Sequence, residues 1–491
     1  MSLSAALQIA QSSLNARQTE SAVVSRNIAG ANDPAYTNKH AKLTSVYTRS
    51  GQASGVRVDG IGRATDGALL TNLLTATSIA TARDALVAGL GRLQSTVGDP
   101  ELGLSPAAKL GALATALQQY GENPEDTNFA QAVLDGATDL ATTLNDASAV
   151  IQQVRARADS DIATSVERIN GLLKELENLN RYVVKGSQQG IDITEALDAR
   201  DQVLRSLSEE IGIRTLSGDN NSIVVYTDSG VTLFETVARS VTFTRTNTFT
   251  AATGGHTVFV DGVPVAGPGA TMELASGRLA GLVELRDEVA VTYQAQLDEI
   301  ARGLIEAFAE SDQNGGGPDL PGLFTYPGAP VMPAALSSGL AAAITVTANA
   351  DPKQGGDLDR LRDGGLSGDP DYVYNASSAA GYSDRIQELV ANLYAPTTFD
   401  ASAAIDPTGS LSDYAAASVS WLEQARKVAT ADAERQSVVV TRTEEALSNT
   451  VGVNIDEEMQ RLLEIERAYE AAAKLISVID EMLDNLLLAV R

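Results

Sequence analysis

Cysteine is absent from all 491 residues, which removes disulfides, thiolate nucleophiles and cysteine metal ligands together. Histidine is almost absent. His40 and His256 are the only two, neither lies near a serine-nucleophile motif, and general acid–base chemistry at neutral pH therefore has few candidates. Two histidines also leave a hydrolytic zinc without ligands. Positive charge is scarce: 36 Lys and Arg face 63 Asp and Glu, for a formal net charge of -27. Such a chain repels phosphate backbones and anionic lipid, which argues against nucleic acid and membrane partners. No stretch reaches the roughly 18 uninterrupted apolar residues of a spanning helix, and the longest run, Leu486 to Val490, is far shorter. Met1 to Asn15 is apolar and neutral, its first following basic residue being Arg17. It lacks the basic leading region and long apolar block of a cleavable secretory peptide. The expectation is a cytosolic chain, or one exported without cleavage.

What is present is enough apolar residue, 44%, for two to four domains. The two ends carry the clearest periodicity. Leu3, Leu7, Ala10, Leu14, Val24 and Ile28 fall on steps of three and four, interrupted by Arg17 and Ser21, which predicts a helix with a weak apolar seam. Leu462, Ile465, Tyr469, Ala472, Ile476, Ile479, Leu483, Leu486 and Val490 repeat the spacing without interruption. Asn454 is a good N-cap for that helix, and Glu457 is placed to reach back and close a capping box. Asp456, Glu457 and Glu458 suit the positive end of the helix dipole.

Between these ends, residues 67–208 read as an antiparallel helical bundle, punctuated by Gly-Asp-Pro at 98–100 and Glu-Asn-Pro at 122–124. Val, Thr, Phe and Tyr then dominate Ser222 to Phe234 and Val237 to Phe249, and His256 to Val265 precedes a turn, so 211–280 reads as a small antiparallel β domain. Helix returns from Leu282 to Ala309 and a Gly/Pro-rich tract at 314–333 breaks it. A short strand is expected at Ala343 to Ala348, then helices from Ser383 to Tyr394 and from Leu411 onward. The fold class is mainly α with an inserted β domain (α+β). The expected division is a terminal coiled-coil unit (1–40 and 450–491), a helical bundle (41–210, 281–313 and 376–449) and an outer β-rich domain (211–280 and 314–375).

Motifs for chemistry do not survive weighing. Gly60-Ile61-Gly62 has Thr65 where a dinucleotide fingerprint needs a third glycine, and no phosphate loop occurs. Asp351, Asp357, Asp359, Asp363, Asp369 and Asp371 miss the EF-hand spacing and read as solvated turns. Arg200-Asp201 and Arg286-Asp287 read as a solvated face or structural ion pairs. No catalytic, cofactor-binding or metal residues, and no cofactor, are expected.

One run carries more. Asn27-Ile28-Ala29-Gly30-Ala31-Asn32-Asp33-Pro34-Ala35-Tyr36-Thr37 resembles the signature of the flagellar axial proteins, with Ala35 where glycine is usual. Further segments resemble the hook-associated protein 1 family in order along the chain: Gly55-Val56-Arg57-Val58, Asn123-Pro124, Leu197-Asp198-Ala199-Arg200-Asp201, Gly277 to Asp287, and Gly452-Val453-Asn454-Ile455-Asp456-Glu457-Glu458. The resemblance implies terminal helices paired into an axial core, a non-enzymatic role joining hook to filament, and an extracellular flagellar location reached by type III export without a cleaved signal. It implies as partners the hook protein, the neighbouring junction protein, copies of the chain in a ring, an export chaperone and the export apparatus. Another axial protein, such as hook protein, the second junction protein or flagellin, is the alternative; flagellins usually lack the 277–287 segment. The expected self-assembly residues are the two seams, and the family-motif residues are Asn27, Ile28, Asn32, Tyr36, Asn454, Asp456 and Glu457.

Overall fold

A computed structural model describes residues 3–47, 53–97 and 103–489. The expected break at 98–100 and the seam residue Val490 lie outside them. Helix α1 (Leu3–Gly30) is followed by an antiparallel hairpin, β1 (Lys39–Tyr47) and β2 (Ala53–Arg63). Four helices then build the bundle: α2 (Gly67–Leu93), α3 (Pro106–Glu122), α4 (Thr127–Gln189) and α5 (Thr194–Glu210). Their starts follow from side-chain caps. Asp66, Ser105 and Asp126 accept first-turn N–H groups, and Pro106 occupies a position where its missing N–H costs nothing. Helix α4 ends on Gly190 in the left-handed conformation. At 63 residues it is roughly 95 Å long at 1.5 Å per residue, and its buried stripe Val133, Leu140, Leu144, Ile151, Ile162, Ile169, Leu176 and Val183 is the spine of the body.

Two three-stranded antiparallel sheets follow. The first holds β3 (Ile213–Ser217), β4 (Ile223–Thr227) and β5 (Thr232–Phe234), the second β6 (Val241–Thr242), β7 (Val258–Val260) and β8 (Val263–Ala266). The long strand expected at Val237 to Phe249 shrinks to two residues because helix side chains take its backbone groups. Asn170 holds both backbone groups of Val241, and Asp159 accepts from the Thr246 amide. Arg155 donates to the Thr250 and Thr253 carbonyls. Arg286, fully buried, donates to Asp159, Asp287 and the His256 carbonyl. Arg286-Asp287 is therefore an internal ion pair, at 2.6 Å, rather than a solvated face.

Helix α6 (Arg278–Glu284) runs through a π turn at Leu285–Val289 into α7 (Ala290–Ala307). Beyond it come β9 (Phe324–Thr325), α8 (Leu340–Ala343), β10 (Thr345–Val346), α9 (Arg360–Asp363), α10 (Asp384–Tyr394), α11 (Leu411–Val451) and α12 (Ile455–Ala489). The strand expected at 343–348 is reduced to Thr345–Val346, paired with β9. Asp298 causes this by accepting from the Gly339 and Ala341 amides, which draws the preceding residues into a helical turn. Of the acidic residues at 351–371, Asp351, Asp357 and Asp369 serve local turns, each accepting from the amide two residues ahead, whereas Asp363 pairs with Arg362 at 2.7 Å.

One contiguous apolar core joins bundle and sheets, with Leu144, Ile169, Val225, Phe234, Val260, Phe308, Phe324 and Leu411 all in it. No break in that core separates the β-rich residues from the helical ones. Among the described residues, none of α1, the hairpin strands or α12 belongs to it. The hairpin, grouped by sequence with the bundle, packs on α1 instead. Helix α2 is long and apolar enough to cross a membrane by length and composition, with half of its apolar window buried; it packs along α11, α6 and α5.

Asp298 supplies a pH prediction. Burial raises its carboxyl to about 6, against the pull of the Ala341 and Gly339 amides and Gln294. The folded pKa lies above the unfolded value near 3.9, so folding binds the proton, and the cost of ionised Asp298 is greatest above pH 6. Stability from this residue should rise by about 2–3 kcal/mol as pH falls from 7 towards 4. Chemical denaturation of the parent and Asp298→Asn across that range should give a difference that changes with pH in this direction. A constant difference would contradict it.

Candidate assembly site

Helix α12 packs against α1 and, among the described residues, against no other helix to comparable extent. Its N-terminus is set by Asn454, whose Oδ1 accepts from the amides of Asp456 and Glu457. The reciprocal half of the expected capping box runs through the side chain: Asn454 Nδ2 donates to Glu457 Oε1 at 3.4 Å. Ile465, Ala472 and Ile479, seven residues apart, are buried, and Leu462, Ile476 and Leu483 are half-buried. Tyr469 and Leu486 are exposed. The seam read as one stripe is thus only partly covered, because a single neighbouring helix fills one heptad position well and leaves the flank open. On α1, Ala10 and Val24 are buried while Leu3, Leu7, Leu14 and Ile28 are half-buried. Arg17, an interruption in the sequence pattern, turns to Glu20 at 2.8 Å.

A second apolar stripe, of which only Leu486 belongs to the predicted seam, escaped the sequence reading. Leu475, Val478, Met482 and Leu486 follow steps of three and four, and all are about half exposed, with Met459 and Leu463 exposed further up the helix. The spacing was legible. Its meaning was not, since α12 is apolar on two flanks and only contacts tell which is covered.

The helix pair meets the body through a polar joint. Asn27, wholly buried, donates from Nδ2 to the Lys39 carbonyl (2.8 Å) and to Glu458 Oε2 (3.0 Å). Its Oδ1 accepts from the Lys39 amide (3.0 Å) and the Tyr36 hydroxyl (3.1 Å). Asn38 donates to the other Glu458 oxygen at 2.9 Å. One side-chain amide and one carboxylate therefore tie α1, β1 and α12 together. The Lys39 ammonium has no solvent exposure; it lies 3.3 Å from the centre of the Tyr36 ring and 3.0 Å from Asp198 on α5. Burial raises the Tyr36 phenol above its ordinary value despite the nearby Lys39 ammonium, so it remains a donor. Asp198 also accepts from the Thr37 hydroxyl (2.7 Å) and Arg63 (2.8 Å), and Arg63 pairs with Asp201 at 2.7 Å. The backbone joins in: Asn38 N–H donates to the Val451 carbonyl and Ala64 N–H to that of Asn38, both at 2.7 Å.

Of the predicted motif residues, Asn27 and Tyr36 lie in this joint. Ile28 is half-buried beside it, and Asn32 is exposed in the following turn. Asp456 and Glu457 stay exposed at the helix cap, and it is Glu458 that points inward. Lys39, Arg63, Asp198 and Glu458 were missed as a set. Gly30 is required because a Cβ there would sit 2.6 Å from the Tyr36 ring. Ala35 is not among the residues with positive φ, so alanine serves where the axial signature has glycine.

A first helix paired with α12 beside a body, joined at this signature, is the arrangement that the resemblance to the flagellar axial proteins implies. Residues 446–488 match the family model described as flagellar basal body rod FlgEFG protein C-terminal, and residues 90–324 match the FlgK helical domain of the flagellar hook-associated protein. The chain, of which the helical-domain match covers a little under half, is thus similar to the FlgK family of flagellar proteins. It is 25% identical to flagellar hook-associated protein 1 of Salmonella typhimurium over 239 residues, 48% of this chain and 43% of that one. The match thus spans less than half the length of that relative. Flagellar hook-associated protein 1 of Bacillus subtilis is 20% identical over 523 aligned positions, covering 98% of this chain and 97% of the other. The solved structure of the flagellar hook junction protein FlgK from Burkholderia pseudomallei aligns at a TM-score of 0.43 with 22% identity, over 52% of this chain and 46% of that one.

Proposed function

We propose that this chain is a non-enzymatic structural subunit at the junction between flagellar hook and filament, held in place by its paired terminal helices. The observation that carries the proposal is the exposed apolar stripe Leu475, Val478, Met482 and Leu486 on a helix whose other flank already packs on α1. Contiguous exposed apolar surface of this kind is characteristic of a protein–protein interface. Its partners are copies of the same chain in a ring, the hook protein on one side and the neighbouring junction protein on the other. An export chaperone and the type III apparatus deliver it outside the cell without a cleaved signal. The terminal coiled-coil unit extends to include the hairpin, to about residue 66. Arg302 of the body is engaged with Glu299 and Glu306, a structural use of its charge. Electron microscopy of a deletion strain tests the reading. Intact hooks without filaments, with flagellin shed into the medium, are expected; filaments of normal length and attachment would refute it.

A further inference from the structure

Beside the polar joint lies a cleft of about 510 Å³ between α5, the β2–α2 connection and the end of α11. Lys42, Arg63, Arg200 and Arg205 line it, against Asp66 and Asp201. Both carboxylates are already engaged: Asp66 accepts from the first amides of α2, and Asp201 pairs with Arg63. The cleft therefore holds an excess of two cations on a chain whose net charge is -27.

Two of these cations lack the partners that burial demands. Arg200, only 7% exposed, has neutral acceptors alone, Asn180 Oδ1 and the Asn221 carbonyl, and its Nε–H has no acceptor. Burial lowers its pKa below the ordinary guanidinium value, and the Arg63 charge adds to that against the pull of Asp201. The Arg205 side chain makes no hydrogen bond or ion pair among the described residues, and its Nε–H is buried without an acceptor. Lys42 is exposed and has no ion-pair partner among the described residues. Gly67 and Thr194, at the N-termini of α2 and α5, face the same space, so the positive ends of two helix dipoles add to the side-chain charge.

We propose that this cleft is a carboxylate-binding site that takes the side chains of an acidic peptide segment from a second copy of the chain. Arg205 and Lys42 are the accessible donors, Arg200 the buried one, and the planar guanidinium fork suits a carboxylate. A second copy supplies such segments in abundance, because exposed acidic residues outnumber basic ones on α12, where Glu464, Glu466, Glu470, Asp480, Glu481 and Asp484 all face solvent. The inference goes beyond the junction reading, and its test needs no assembled flagellum, so either can fail alone.

Calorimetric titration of the soluble full chain with decaglutamate at fixed ionic strength should give saturable binding. Arg205→Gln should weaken it roughly tenfold, and Arg205→Gln with Lys42→Gln should abolish it. Both variants should melt like the parent without peptide, since neither side chain has a partner to lose. Decalysine should not bind. No saturable heat, unchanged affinity in Arg205→Gln, or citrate binding as tightly at equal carboxylate concentration would overturn the proposal.

Discussion

Met482→Asp folds and melts like the parent chain yet fails to enter the flagellum, whereas Ile479→Asp, three residues earlier, loses the α1–α12 pairing itself. The two side chains differ in what surrounds them. Met482 is about half exposed in the isolated chain, and Ile479 is 5% exposed against α1. An aspartate at 482 keeps its hydration until another copy covers it; covering it then costs several kcal/mol per copy, as burial of an unpaired charge does. At 479 the cost falls on the monomer, about 2–5 kcal/mol for the lost side chain with the charge added. Ile476 and Leu483 are half-buried, so aspartate there should abolish incorporation while also loosening the pair. Thermal melting and motility separate the outcomes. Normal filaments in Met482→Asp would show that the stripe is not an assembly surface.

The second large effect is expected at Asp198. Asp198→Ala removes the acceptor shared by Thr37, Lys39 and Arg63 and leaves a Lys39 ammonium with no solvent exposure facing only the largely exposed Glu195. Breaking a buried pair in this way costs about 3–5 kcal/mol. Because no described residue of α1, the hairpin or α12 belongs to the main core, the loss should fall on the joint. Hydrogen exchange should accelerate in α1 and the hairpin while α4 keeps its protection. Lys39→Met with Asp198→Leu should recover much of the stability, since an apolar pair of similar volume removes the need for a counter-charge. A change below 1 kcal/mol in Asp198→Ala would mean that the joint is not ionic in its energetics.

How much of this was readable in the sequence varies with how local the cause is. The helices and their caps follow from residues within one turn, and Asn454 and Asp66 cap the helices that patterning placed there. The strand lengths were set from far away: Asp159, Asn170 and Arg155, all on α4, take the backbone groups of 241–253. No window of β-forming residues reveals a competitor 87 positions distant in sequence. The joint shows the same limit. Asn27, Asp198 and the 452–458 segment were each conspicuous as motifs, but only the fold places Glu458, 431 residues away, against Asn27. A lysine in a strand gives no sign that it will be fully buried; Lys39 is, because Tyr36, Glu195 and Asp198 surround its ammonium.

The central claim is that the terminal helices form a pair whose free flank is buried by other copies of the chain. Hydrogen exchange compared between the soluble chain and the assembled junction tests it directly. Amides of residues 471–488 should slow by roughly a hundredfold or more on assembly, with those of residues 133–176 unchanged. Equal protection of 471–488 in both states would contradict the account.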